Sequence, residues 1–265
     1  MKKFPYILIL ASLICNAPLR AEDAAQWKVQ AAGLRVVAPP LDGKADSQGA
    51  FFQPPGVTVV AVIIPTSGNI VSIDQFKSTV DSFTDDKGTD LLAAKSGSPF
   101  NKPGFGMMDN KKTNATVEIN AAGLPAKGAT TLSISGKVSL KVAAATKEFT
   151  IDNVDFKAGA TFNCGELALK ISKAGMGKSM FSDKQEFSVS FTSASDLESI
   201  SEMKFFDAQG NEIKANKNSW GGGIGMYFAD YTFKAAVDHA KIVATCFQDL
   251  KNVEVPLVIK TGVGI

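Results

Sequence analysis

Residues 219–227 combine aromatic side chains with glycines in a way that suits binding of another molecule. The segment reads Ser-Trp-Gly-Gly-Gly-Ile-Gly-Met-Tyr, so Trp220 and Tyr227 flank four glycines. An exposed indole on a glycine-rich loop can stack on a sugar ring or grip a protein partner. The competing interpretation is that Trp220 caps the apolar core while the glycines form a loose hairpin. Trp220 and Tyr227 are the candidate binding residues.

Acidic residues cluster at 85–90, where Asp85, Asp86 and Asp90 fall within six positions. Carboxylate oxygens are the ligands that a hard cation such as calcium prefers. The spacing lacks the alternating Asp residues and the distant Glu of an EF-hand loop, and a solvated β-turn is the commoner outcome of such a sequence. Residues 207–212 have a similar composition and predict a hairpin turn.

Two motifs that would indicate nucleotide binding or catalysis are incomplete. Residues 175–179 end in Gly-Lys-Ser, but Ser172 stands where a phosphate-binding loop requires its first glycine. His239 is the only histidine, and its neighbour Asp238 points away from it if the two lie in a strand connection. No Gly-x-Ser-x-Gly sequence is present. We therefore predict no catalytic residue, no cofactor and, apart from the calcium hypothesis, no metal.

Cys164 and Cys246 are the only cysteines beyond Cys15. In an oxidising compartment they could form a disulfide, which would stabilise the fold by about 4 kcal/mol through the long loop that it closes. Two separately buried thiols are the equal alternative. The sequence leaves both open, because the Cα separation that decides between them cannot be read from spacing.

The N-terminus has the pattern of an export signal. Lys2 and Lys3 precede an apolar stretch at 6–14 that is too short to span a bilayer, and Ala21 supplies a small residue for cleavage. We predict a signal peptide at 1–21 and a periplasmic or secreted protein.

Charge and hydropathy exclude several kinds of partner. The formal net charge is +2 over 265 residues, and without the three basic residues of the leader 25 basic residues face 26 acidic ones. Nucleic acids and anionic membranes both require concentrated Lys and Arg, which this chain lacks. No later apolar run is long enough for a membrane span. We predict neither a nucleic-acid partner nor a transmembrane segment.

Apolar and polar residues alternate along much of the chain, which predicts strands with one buried face. The clearest case is 131–142, where Gly136 interrupts the alternation at an expected bulge or bend. Residues 57–64 are nearly all β-branched and predict a central strand. Pro256 lacks an N–H, so it predicts a sheet edge or a bulge in the strand at 252–259.

Three segments depart from this alternation. Apolar residues at 73, 76, 80 and 83 follow Ser72 at helical spacing and predict a short helix, with a strand as a nearly equal alternative. Residues 42–55 and 95–105 are rich in glycine and proline and predict loops.

Many short strands separated by Gly- and Asp-containing turns favour antiparallel sandwiches. We predict an all-β fold of two immunoglobulin-like β-sandwich domains in tandem, at 22–144 and 145–265. Residues 83–92, 124–140 and 203–213 resemble pieces of uncharacterised exported bacterial proteins built from immunoglobulin-like sandwiches. The resemblance implies location and fold, and it carries over no functional residue.

The strand-rich pattern and the lack of catalytic motifs predict a non-enzymatic exported protein. We expect it to act in cell-envelope adhesion, assembly or scaffolding through contacts with a protein or glycan of the envelope. The alternative is a carbohydrate-binding module or a polysaccharide-acting enzyme, which Trp220 and the scattered acidic residues would serve. Eighteen phenylalanines but only two tryptophans favour a hydrocarbon core over a sugar cleft.

Overall fold

The computed structural model describes residues 26–39, 54–93, 106–109, 111–179, 182–223 and 225–263. Over these ranges the chain is built from antiparallel strands, and its one helical element is the 3₁₀ helix Leu197–Ser199. The prediction of an all-β fold is confirmed. The predicted signal peptide at 1–21 and the predicted loop at 95–105 lie outside the described residues, as does most of the loop at 42–55.

The strands in chain order are β1 (Trp27–Val37), β2 (Gly56–Pro65), β3 (Asn69–Asp85), β4 (Met107–Met108), β5 (Ala115–Ala121), β6 (Thr131–Ala143), β7 (Ala145–Asp155), β8 (Thr161–Cys164), β9 (Leu167–Ser179), β10 (Ser182–Ser193), β11 (Ile200–Phe206), β12 (Glu212–Ile213), β13 (Ala215–Gly223), β14 (Met226–Phe233), β15 (His239–Gln248) and β16 (Lys251–Gly262). They form four sheets around two apolar cores.

The first sandwich pairs a sheet in the order β1-β2-β5-β4 with a sheet in the order β16-β6-β3. Alternate residues of both sheets meet in a core whose members include Val59, Val117 and Leu140, all fully buried. β2 lies between β1 and β5, as predicted for a central strand. β16 carries Pro256 and forms an edge, which also agrees with the prediction.

The second sandwich pairs a sheet in the order β12-β11-β15-β7 with a sheet in the order β13-β14-β10-β9-β8. Its core is rich in aromatic rings, which meet mostly edge to face at centroid distances of 5.1 to 6.2 Å. Such contacts add to the free energy gained from burial of the ring surface. The rings are Phe156, Phe162, Phe187, Phe191, Phe205, Tyr231 and Phe233.

The chain returns to the first sandwich at its C-terminal end. The predicted boundary at 144/145 separates β6 from β7, yet β16 pairs with β6 along its whole length. Val255, Leu257 and Ile259 of β16 are buried in the first core. The division into domains at 22–144 and 145–265 stays a prediction. In chain order, however, β7 to β15 come between β6 and β16, the last two strands of the first sandwich.

The helix predicted over residues 72–83 is wrong, because this segment belongs to β3 and pairs with β6. Between Asp74 and Thr79 the register jumps, and the Asp74 carboxylate accepts hydrogen bonds from the backbone N–H groups of Phe76 and Lys77. The extra residues break the two-residue alternation and leave Phe76 91% exposed. The apolar residues therefore fall at helical spacing although the backbone is extended.

Gly136 of β6 lies opposite this irregularity. A Cβ atom at Gly136 would lie 2.2 Å from the carbonyl oxygen of Thr79, which is far inside van der Waals contact. The bulge that the sequence placed at Gly136 is thus in the partner strand β3, and the glycine provides the space for it.

Polar and apolar contacts join the two sandwiches. Lys141 of β6 lies 3.1 Å from Asp196 and 3.0 Å from Glu198, which flank and form the 3₁₀ helix. Burial alone would lower the pKa of Lys141, but hydrogen bonds to the two carboxylates outweigh it and raise the pKa. Beside this ion pair, Val71 packs with Ala143 and Phe247.

Candidate functional site

The candidate binding residues lie in one β-hairpin, formed by β13 and β14. The glycines at 221–223 belong to β13 itself, so they lie in a strand and not in the loop that the sequence suggested. We call this hairpin, residues 215–233, the aromatic hairpin. β13 is the outermost strand of its five-stranded sheet and pairs with β14.

The register of the hairpin places Trp220 and Tyr227 on the same face. Trp220 is opposite Ala229 and Gly222 is opposite Tyr227, and residues two apart in a strand share a face. Tyr227 packs against the second core, whereas Trp220 is 51% exposed. The structure therefore brings the two predicted residues together, with the tyrosine anchored and the indole available.

The ring of Tyr227 lies over the backbone of Gly222 and leaves no space for a side chain there. A Cβ atom at this position would lie 2.3 Å from Cδ1 of Tyr227, so the ring rests on the glycine backbone. The ring of Phe228 lies near Gly221 at an ordinary van der Waals distance, 3.4 Å from a Cβ built there. An aromatic ring over a cross-strand glycine shields the backbone that the glycine exposes.

Lys217 lies against the indole. Its Nζ is 5.4 Å from the centroid of the Trp220 ring, within the range of a cation–π contact. Burial, and then the charge of Lys112, lower the pKa of Lys217. The contact holds the indole in place and leaves about half of its surface open.

The opposite face of the hairpin is also apolar at its tip. Phe228 and the 65% exposed Met226 lie on the strand positions that alternate with Tyr227. Further along this face Ser219 donates a hydrogen bond to Asp230 at 2.5 Å. The aromatic hairpin therefore combines apolar side chains on both faces with an outer strand edge.

The acidic residues at 85–90 are engaged in a turn. One oxygen of Asp85 accepts hydrogen bonds from the N–H groups of Lys87 and Thr89, and its other oxygen accepts one from Ala126. Asp86 bonds Thr130, and Asp90 bonds the N–H of Leu92. The described residues contain no group of three or more His, Cys, Asp or Glu placed to hold a metal ion. The calcium hypothesis stays a prediction.

Asp85 will make folding stability depend on pH in the acid range. Burial raises the pKa of Asp85, but the three backbone hydrogen bonds outweigh it and lower the pKa from 3.8 to about 2. The ionised form is favoured by folding, so its contribution to stability is complete above about pH 5 and is lost as the pH falls through 3.8 toward 2. We expect the difference in urea midpoint between wild type and Asp85→Asn to be largest at pH 7 and smaller at pH 3. A difference that stays constant between these pH values would contradict the assignment.

Two other motifs take structural roles. Residues 175–179 are part of β9, which pairs with β10, and so form no phosphate-binding loop. His239 contacts Asp155 at 2.7 Å from its Nδ1, and Asp238 accepts a hydrogen bond from the backbone N–H of Phe156 through its carbonyl. Asp155 also pairs with Lys157. The predicted turn at 207–212 joins β11 to β12.

The structure adds residues that the sequence did not single out. Lys217 belongs to no recognised motif. It contacts the Trp220 ring because both side chains lie on the same face of β13. Met226 and Phe228 lie outside the predicted pair of binding residues, Trp220 and Tyr227. Alternation within 226–233 could have identified Met226 and Phe228 as outward-facing, since Tyr227, Ala229 and Tyr231 occupy the other positions.

Comparisons with known proteins identify no relative: no family model, no curated protein and no solved structure matches this chain. Across the described ranges, no helix has the length and apolar character needed to cross a membrane.

Proposed function

We propose that this protein is a non-enzymatic, exported protein that acts in cell-envelope adhesion, assembly or scaffolding. It contacts a protein partner through the aromatic hairpin. The single observation that carries the proposal is the combination, in one edge hairpin, of exposed Trp220, Met226 and Phe228 with an outer strand that has no neighbour among the described residues.

An edge strand presents backbone N–H and C=O groups to which another strand can pair. Natural edges are commonly protected by proline, lysine, short length or a strong bulge. β13 is nine residues long, and its lysine and its one register shift both lie before Ser219. The five residues that follow, 219–223, contain no proline, no lysine and no further register shift, and the last three are glycines without side chains. These features favour addition of an extended partner segment, with Trp220 and the hairpin tip supplying apolar contacts.

The strand order of the first sandwich supports an immunoglobulin-like architecture. Counting β16 as the seventh strand, the two sheets read 1-2-5-4 and 7-6-3. An immunoglobulin constant-type domain has the same order, with strands A, B, E and D in one sheet and C, F and G in the other. On this reading β7 to β15 are an insertion between strands F and G, and the arrangement is nested instead of tandem.

The alternative function, carbohydrate binding, is favoured by one observation. The indole of Trp220 is half exposed and has the charged Lys217 beside it, so a sugar ring could stack on its open face while polar groups bind hydroxyls. The two functions require different parts of the hairpin. A glycan would bind the Trp220 indole alone, whereas a strand of a protein partner would bind both the indole and the open edge of β13.

Two variants separate these functions. Trp220→Ala removes the indole, and Gly223→Lys places a charge on the edge strand at a position where a Cβ has no atom within 4 Å. Gly177→Lys is the matched control, because a Cβ at Gly177 of β9 also has no atom within 4 Å but lies away from the hairpin.

The variants are compared in binding to envelope proteins from the native cells and to a glycan array. We expect a discrete envelope protein to bind wild type, with affinity about 30-fold weaker for Trp220→Ala and similarly weak for Gly223→Lys. The control should match wild type. Glycan binding that Trp220→Ala abolishes and Gly223→Lys leaves intact would establish the alternative, and binding unaffected by both variants would refute the hairpin as the site.

A further inference from the structure

Cys164 and Cys246 face each other across the second core. Cys164 ends β8, at the edge of the five-stranded sheet, and Cys246 lies in β15, between β7 and β11 of the opposite sheet. Their Sγ atoms are 3.1 Å apart. Both residues are free thiols in this structure and are buried, at 3% and 5% exposed.

Strand pairing sets the position of each cysteine. The Gly165-Glu166 turn joins β8 to β9, and Cys164 is paired with Leu167 directly beside it. Cys246 is paired with Lys147 on one side and Ile200 on the other. The described residues place no cluster of metal ligands here, so the two sulfurs have no evident role as part of a larger metal centre.

We propose that Cys164 and Cys246 form a disulfide bond that ties the two sheets of the second sandwich together. The sequence left this pairing open because spacing does not report distance. The facing positions on opposite sheets, and sulfur atoms already in contact, are the observations that decide it.

The oxidant that the bond requires is an external disulfide, either a protein dithiol oxidant or oxidised glutathione. The Cys164 thiolate attacks one sulfur of that disulfide, which forms a mixed disulfide and releases the other sulfur as a thiolate. Cys246 then loses its proton to solvent and attacks Sγ of Cys164, which releases the second thiolate. Two cysteine thiols are oxidised, and one external disulfide is reduced to two thiols.

In the closed structure the electrostatics distinguish the two sulfurs. The hydrogen bond from Cys246 lowers the pKa of Cys164, and the same interaction, together with burial, raises the pKa of Cys246. Cys164 is therefore the sulfur that ionises first. Because both sulfurs are buried, exchange takes place while the sheets are still closing, and the finished bond is protected from reductants.

The bond has a specific mechanical consequence. β8 has only four residues and pairs on one side only, with β9, so it is weakly held. A bridge to β15 fixes it to the interior of the other sheet. The two cysteines are separated by 82 positions, so the bond also removes much of the freedom of the unfolded chain.

Peptide mapping tests the proposal directly. Trypsin releases Cys164 in the peptide 158–170 and Cys246 in the peptide 242–251, and Cys15 is in neither. The full chain is unfolded in urea with a reductant, refolded in a mixture of oxidised and reduced glutathione, blocked with an alkylating agent and digested. We expect the two peptides to be recovered covalently linked. Recovery of both peptides alkylated, or each bound to glutathione, would overturn the proposal.

A second measurement compares the oxidised and the reduced wild type. The oxidised wild type should melt about 10 °C above the same protein after reduction. The double variant Cys164→Ser/Cys246→Ser should melt near the reduced form and should not respond to reductant. Equal melting temperatures for oxidised and reduced wild type would show that no bond links the sheets.

Peptide mapping of protein isolated directly from cells, without refolding, tests whether the protein is exported, independently of the disulfide proposal. Linked peptides in that sample would agree with export to an oxidising compartment. Free thiols in the cellular sample, with linked peptides after refolding in glutathione, would count against export and leave the disulfide proposal supported.

Discussion

A chain consisting of residues 22–144 will not fold stably, although these residues contain six of the seven strands that the structure describes in the first sandwich. The missing strand is β16, which pairs with β6 and buries Val255, Leu257 and Ile259 in the first core. Burial of three such side chains is worth about 6 kcal/mol, which is comparable with the total stability of many domains. Truncation also leaves the edge of β6 open to pairing with other chains.

A shorter chain that keeps β16 should fold. Val142 and Lys251 are directly paired, so the sequence Val142-Asn-Gly-Lys251 closes β6 and β16 with a two-residue hairpin turn. This chain omits all strands of the second sandwich. We expect it to unfold cooperatively in urea, while the chain 22–144 shows no cooperative transition.

Trp27 provides the measurement for both chains, because each lacks Trp220 and the Trp27 side chain packs against the first core. Its fluorescence should be that of a partly buried indole in the hairpin-closed chain and that of a solvated indole in the truncated one. Cooperative unfolding of the chain 22–144, with a midpoint equal to that of the closed chain, would show that β16 is dispensable and would contradict the nested architecture.

Phe205→Ala should destabilise the second sandwich by about 4 kcal/mol. Phe205 is 1% exposed, and its ring contacts four other rings at centroid distances of 5.1 to 6.2 Å. Removing it leaves a cavity that the surrounding β-sheet backbone cannot readily fill, because its hydrogen-bonded ladders hold the neighbouring strands apart. The loss therefore includes the cavity as well as the ring's burial.

The adjacent residue gives a matched control. Phe206 is on the opposite face of β11, where its ring lies 5.2 Å from the Nζ of Lys241. Phe206→Ala removes the same atoms from a half-buried position and should cost about 1 kcal/mol. Urea unfolding of both variants, followed through near-ultraviolet circular dichroism, measures the two values. Similar losses would show that the aromatic core is not as tightly packed as the ring distances indicate.

Much of the secondary structure could be predicted because alternation is a local property of the chain. Residues 131–142 predicted β6, and Pro256 correctly indicated an edge, since a residue without an N–H cannot complete a ladder on both sides. The helix over 72–83 was wrong for an equally local reason. The bulge after Asp74 shifts the alternation, and nothing within that segment reveals that β6 lies beside it.

The candidate site was only partly predictable. Composition identified Trp220 and Tyr227, but their common face depends on the register between β13 and β14. Lys217 joined them only because the register places it beside the indole. The distance between Cys164 and Cys246 depends in turn on how two sheets stack, and the sequence contains no local signal for that.

By itself the sequence determined that this protein is made of antiparallel strands, because residue alternation and turn chemistry act over a few positions. Only the tertiary structure decided that β16 closes the first sandwich after nine intervening strands, that the two cysteines face each other, and that Trp220 lies on an open edge. These are contacts between residues far apart in the chain, and many pairings satisfy the same local pattern. The pairing that forms is the one that buries both apolar cores together.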